Sequence, residues 1–132
     1  MTCHQCIINK QQKQPIPFYH TFEKAKTDFE TKYGIIMQFL LLAYDGTDSA
    51  APERRIKVRQ EHLDKISNLK RNGEFLFGGA ILNDEEKMIG SMILYEFQDR
   101  AALDERLKEE PYITAGVWEK IEIKPFLLAK IE

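Results

Sequence analysis

The order of elements in this sequence predicts an α+β domain of the split βαβ kind: strand, helix, strand, strand, helix, strand, folded as a four-stranded antiparallel sheet with both helices on one face. Three observations carry that prediction. Two apolar runs rich in strand formers, Ile35 to Tyr44 and Glu74 to Leu82, flank a long segment of helical period that stops at Asn72-Gly73. The polar run Asn83-Asp84-Glu85-Glu86-Lys87 reads as a hairpin connection, which makes the strands on either side antiparallel neighbours. A short helical pattern halted by Pro111 then separates the third strand from a last alternating segment, Trp118 to Phe126.

At 132 residues the chain suits one domain with a single core and is too short for two ordinary ones. Hydrophobic residues make up 43% and charged residues 30%, an ordinary globular mix, and a net charge of -2 leaves no basic footprint for nucleic acid. The longest apolar run, Ile35 to Ala43, contains Gln38 and is far below the ~20 residues that cross a bilayer, so no membrane partner is expected. The start, Met1-Thr2-Cys3-His4-Gln5-Cys6, lacks a basic stretch followed by an apolar one. A cytoplasmic location with reduced thiols is therefore the default.

Taken in order, residues 1–34 read as an N-terminal extension and residues 35–132 as the domain. Residues 1–17 are polar, with Pro15 and Pro17 and only Ile7 and Ile8 to bury, as in a loose tail. Cys3, His4 and Cys6, with His20 as a distant fourth, lack the second cysteine pair of a zinc site, so no metal is expected. Phe22, Ala25, Phe29 and Tyr33 recur at helical spacing and predict a short amphipathic helix ending at Gly34. Ile35 to Tyr44 is nearly continuous in apolar character and is expected to be a central strand buried on both faces. Pro52 suits the first turn of the helix that follows, with Ile56, Val58, Leu63, Ile66 and Leu69 as its periodic apolar residues.

Arg55, Arg59 and His62 lie along one edge of that stripe, and His62, four residues after Val58 and four before Ile66, points a titratable ring inward. Gly78-Gly79 interrupts the second strand, which predicts a bulge or a place where something comes close to the backbone. Met88 to Phe97 is the third strand, Asp99 looks like the cap of the second helix, and Ala102, Leu103 and Leu107 form its inner face. Glu110 stands at the exit of that helix. Asp84-Glu85-Glu86 is read as a solvated hairpin tip, since hard-cation loops alternate oxygen ligands about a glycine turn.

With these residues in place the chain resembles the YciI-like family, also called the YCII-related domain. The likeness covers about Ile35 to Phe126 and rests on Arg59-Gln60-Glu61-His62-Leu63, on Gly78-Gly79, on the helix start between Phe97 and Ala102, and on Glu110-Pro111-Tyr112…Ala115-Gly116-Val117…Ile123-Lys124-Pro125-Phe126. The resemblance implies a ferredoxin-like βαββαβ domain, assembled as a dimeric α+β barrel from two facing sheets, and an active-site pair of histidine and aspartate. His62 matches the histidine. Glu110 stands at the aspartate position, a carboxylate one methylene longer.

On this reading Glu110 accepts a hydrogen bond from one ring nitrogen of His62 and leaves the other free as general base or acid, near-neutral chemistry for which imidazole is suited. Arg59, one turn earlier, would hold an anionic group, amides around Gly78 and Gly79 would approach a ligand oxygen, and Tyr112 would close the cleft. Two classes of function remain open. One is a cofactor-independent lyase or isomerase acting on a small cyclic or carbonyl compound. The other is a dimeric small-molecule-binding module in which His62 and Glu110 form a structural pair.

Overall fold

The computed structural model describes residues 36–131. The expected tail, the Phe18 to Tyr33 helix and the Cys3, His4, Cys6 and His20 side chains lie outside the described residues. Four strands, β1 (Met37–Asp45), β2 (Phe75–Leu82), β3 (Met88–Phe97) and β4 (Trp118–Phe126), and three helices, α1 (Ala51–Arg71), α2 (Arg100–Leu107) and the single-turn α3 (Pro111–Thr114), follow one another as β1-α1-β2-β3-α2-α3-β4. The antiparallel sheet runs β2-β3-β1-β4, the ferredoxin-like order expected of a split βαβ chain.

Register decides which side of each strand meets the helices. Phe39 opposes Tyr95 and Leu41 opposes Ile93, and these residues, with Phe97, pack against Leu69 of α1 and against Leu103 and Leu107 of α2. On the other face Leu40 opposes Leu94 and Leu42 opposes Met92. The expectation that β1 is buried on both faces is thus corrected: Phe39, Leu41 and Ala43 are buried, whereas Gln38, Leu40 and Leu42 are half-buried and Tyr44 is exposed. The described helices α1 and α2 pack on the Phe39, Leu41 and Ala43 side of β1, and that is the side on which its apolar residues are fully buried.

The buried stripe of α1 also differs from the expected one. It runs Ala51, Arg55, Val58, His62, Ile66, Leu69, in steps of three and four, while Ile56 is 60% exposed and Leu63 also reaches solvent. His62 points inward as its spacing predicts, while Arg55, expected at the edge of the stripe, is buried within it. The helix stops as Asn72-Gly73 foretold. Gly73, at φ 76°, lets its own N–H reach Lys70 O at 3.1 Å and lets Glu74 N–H reach Leu69 O at 2.9 Å, which satisfies two terminal carbonyls.

Gly78 and Gly79 sit in regular register opposite Ile93 and Met92, and the irregularities of β2 fall instead between Phe75 and Phe77 and between Ile81 and Leu82. The close approach is that of the neighbouring strand, since a Cβ on Gly78 would lie 2.6 Å from Met92 O. The hairpin tip is tied by Asn83, whose side-chain oxygen accepts from Glu85 N–H at 2.9 Å and Lys87 N–H at 3.0 Å. Asp99 caps α2 by accepting from Ala102 N–H at 2.8 Å. Among the described residues no helix is long and apolar enough to cross a membrane.

These contacts rank two substitutions. Leu103 is fully buried, so Leu103→Ala is expected to cost about 2–5 kcal/mol through lost burial and a residual cavity. Asp99→Ala, which removes only a cap, is expected to cost about 1 kcal/mol. Urea denaturation of both variants checks the order.

Candidate functional site

Glu110 is placed by local chemistry. Because Pro111 follows it, its backbone is held extended at φ -73°, ψ 118°, which is also the conformation of a helix N-cap. Pro111 has no N–H to offer, so the first donor of α3 is Tyr112, and it gives a 3.0 Å hydrogen bond to Glu110 Oε1. The same oxygen faces Nδ1 of His62 at 2.5 Å. One carboxylate thus caps α3 and clasps the α1 histidine, and both side chains are buried, His62 at 8% exposure and Glu110 at 4%.

Tyr112 completes the arrangement from one turn of helix. Its ring stacks on His62 with centroids 4.0 Å apart and planes inclined by 16°, and the Arg55 guanidinium carbon lies 4.6 Å from the same ring centre. Arg55 and His62 are seven residues apart on α1, about 10.5 Å along its axis, so the tyrosine ring is slotted between them. Trp118 meets His62 edge-on at 6.1 Å and Tyr112 at 5.5 Å. Tyr112, expected to close the cleft, is instead 1% exposed and fixes the plane of the imidazole from behind. Burial pushes its hydroxyl above the usual phenol range.

A second buried network lies beside the first. Nη1 of Arg55 reaches both Asp45 oxygens at 2.9 and 3.0 Å, Nη2 donates to Ser91 Oγ at 3.0 Å, and Trp118 Nε1 donates to the same oxygen at 3.1 Å. Burial pushes the Asp45 carboxyl up, against the opposing pull of Arg55. Tyr95, beneath the helices on β3, buries a hydroxyl that has no hydrogen-bond partner among the described residues, and burial raises it further than any other phenol of the site.

Between α1 and the β2-β3 side of the sheet opens a cleft of about 100 Å³. Arg55, Arg59, His62 and Tyr112 form its polar wall, Gly78 and Gly79 its floor, with Ile66, Phe75 and Ile93 supplying apolar surface. Five of the six residues singled out from sequence, Arg59, His62, Gly78, Gly79 and Tyr112, therefore border one cleft, and the sixth, Glu110, stands behind His62. Arg59 is exposed and makes no ion pair among the described residues. Nε2 of His62 makes no hydrogen bond to a described residue. Sequence reasoning assigned no role to Asp45, Arg55, Ser91 or Trp118; the usable signal was Arg55, seven residues before His62 and so on the same buried face, where an arginine demands a carboxylate.

Residues 37–127 match the family described as the YCII-related domain. Protein YciI of Escherichia coli is 32% identical over 96 residues, 68% of this chain and 96% of that protein. An uncharacterized protein of Haemophilus influenzae is 27% identical over the same extent. Among solved structures, a 5-chloro-2-hydroxyhydroquinone dehydrochlorinase from Burkholderia phenoliruptrix, in complex with 2,5-dihydroxybenzoquinone, matches with a TM-score of 0.61 at 21% identity, covering 70% of this chain and 96% of that one, a likeness of fold.

The Asp45–Arg55 pair yields a prediction with a sign in pH. Arg55→Met strands a buried carboxylate and is expected to cost about 3–5 kcal/mol at neutral pH, while Asp45→Leu combined with Arg55→Met recovers most of that loss. A carboxyl raised by folding contributes stability that is complete below its unfolded value and fades as pH rises through the folded one. The cost of Arg55→Met should therefore shrink as pH falls from neutral toward about 4, the unfolded carboxylate value. A double-mutant cycle by denaturant unfolding at acid and neutral pH measures both effects.

Proposed function

The chain belongs to the YCII-related domain family, and on that footing we propose that its cleft carries out proton transfer on a small cyclic or carbonyl compound, as a cofactor-independent lyase or isomerase. The observation that carries this reading is the 2.5 Å contact between His62 Nδ1 and Glu110 Oε1 on a ring whose edge borders the cleft. A carboxylate at Nδ1 holds the proton there, which leaves the lone pair on Nε2 and fixes the tautomer of a general base. Stacking on Tyr112 removes rotation of the ring as a degree of freedom. Arg59, exposed at the rim, is placed to hold an acidic oxygen of the ligand, and the flat Gly78-Gly79 floor admits a planar ring.

The base takes a proton from a ligand C–H or O–H to Nε2, the bonding pair stays on the ligand, and Glu110 stabilises the imidazolium. Proton return to another atom completes an isomerisation, and departure of an anion completes an elimination. The dehydrochlorinase of similar fold, with its dihydroxybenzoquinone, supplies a first probe.

The test is exchange of ring hydrogens of 2,5-dihydroxybenzoquinone and of related small cyclic diones for deuterium, followed by NMR. The protein is expected to accelerate exchange, and His62→Ala to remove about 10²–10⁴-fold of that acceleration, the usual share of a general base. Exchange no faster than in buffer over the whole panel, or an unimpaired His62→Ala, would sink the enzyme reading. A second reading, recognition without turnover, draws on the near-complete burial of His62, and calorimetric binding of the same compounds without exchange would favour it.

The same proposal takes the chain as a homodimer. Leu40, Leu42 and Phe77 lie on the sheet face turned away from the helices, an apolar surface that a second copy would cover. Light scattering should give twice the 15.4 kDa chain mass, falling to one chain in Leu42→Glu. A monomeric wild type would refute this part.

A further inference from the structure

His62 borders the ligand cleft and Glu110 does not. Glu110 instead borders a second, smaller opening of about 80 Å³, bounded by Lys65, Asn68 and Asn72 of the end of α1 and by Arg106 and Glu109 before α3. His62 is absent from that wall. The hydrogen-bonded pair therefore spans two openings, with its imidazole end on one and its carboxylate end on the other. Oε1 of Glu110 is already used twice, by His62 Nδ1 and Tyr112 N–H, whereas Oε2 makes no hydrogen bond to a described residue.

The second opening has the makings of a water site. An ammonium, a guanidinium, two amides and two carboxylates line it, supplying donors and acceptors together, and its volume of about 80 Å³ is ample for water. It is ill suited to an anion, because Glu109 and Glu110 offset Lys65 and Arg106, and Arg106 already leans on Glu74 at 3.5 Å.

We propose that this opening is the solvent port of the His62–Glu110 pair, through which its protons exchange with bulk water while a ligand occupies the other cleft. The inference rests on the proton-transfer reading above for its use in turnover, though the exchange itself does not need a substrate. A ligand proton arriving at Nε2 makes an imidazolium. Its Nδ1 proton passes to Glu110, giving a neutral acid, and the acid passes a proton to water in the port, which carries it to bulk. Each bonding pair stays on the atom that loses the proton. The reverse passage then returns a proton to Nδ1, and the imidazolium so formed delivers its Nε2 proton to the product, which restores the starting tautomer.

Exchange of the His62 Nδ1 proton with water, read by NMR saturation transfer on the full-length ¹⁵N-labelled protein, tests this directly. Asn68→Phe, which fills the port from an exposed helix position, should slow exchange by about tenfold or more, as when access to solvent becomes limiting. Leu63→Trp, which narrows the ligand cleft, should leave it unchanged. Should Asn68→Phe not fold, Asn68→Leu removes a polar wall of the port while keeping the branched shape of the side chain and should also slow exchange. Unaltered exchange in the folded port variants, or equal slowing in Leu63→Trp, overturns the port. Catalysed deuterium exchange in the wild type alongside that result would leave the proton-transfer reading standing; slowed Nδ1 exchange without any catalysis would leave the port and remove the chemistry.

Discussion

The structure depends on one constraint: helix α1 docks on the sheet with an arginine and a histidine inside its buried stripe. A helix face made only of Leu and Ile is satisfied by any apolar surface of about the right shape. A face carrying Arg55 and His62 docks only where acceptors wait at the right depth, because an unpaired buried charge or donor costs several kcal/mol. Asp45, at the last position of β1, meets the arginine, and Glu110, at the start of α3, meets the histidine. The two acids come from separate parts of the chain and together pin the helix in both rotation and translation.

The second acid does its work by economy of local structure. Glu110 is extended because a proline follows, and it is a cap because the next free N–H belongs to Tyr112. The oxygen that receives this N–H also receives the imidazole, so helix start, tyrosine and histidine are placed by one carboxylate. Glutamate, longer by a methylene than aspartate, still closes the contact at 2.5 Å. Tyr112 then lies between the two basic side chains of α1, its π faces serving a guanidinium on one side and an imidazole on the other. The imidazole is thereby held in plane and in position while its remaining nitrogen stays uncommitted to any described residue. Rigid placement of that kind, on a helix and not on a loop, is what proton transfer asks of a base.

The sheet's two sides have different fates. The side under the helices buries Phe39, Leu41, Ile93 and Tyr95 in a closed core, while on the other Leu40, Leu42 and Met92 are half-buried and Leu94 is buried. Helices that cross over on one face leave the opposite face to be covered by other means. The cleft lies on the helix side, near the β2 edge, where Gly78 lets β2 and β3 approach closely and leaves a smooth floor.

The sequence by itself determined the elements and their order. The Asn83 hairpin, the Asp99 cap, the Asn72-Gly73 stop and the Glu110-Pro111 boundary are local devices that act through neighbours a few residues away, and each lies where it was read. The inward direction of His62 was legible for the same reason, since helical spacing alone sets a face. Its carboxylate was named from the resemblance to a family, and no spacing within the chain reveals a contact across 48 positions. The tertiary structure alone decided that Arg55 is buried and Ile56 exposed, that β1 is two-sided in environment, that Asp45, Ser91 and Trp118 complete a buried network, and that Tyr112 stands behind the imidazole instead of at the mouth. Those outcomes turn on strand register and on the angle at which a helix rests on a sheet, and both are set by the sum of many weak long-range contacts that no short stretch of sequence contains.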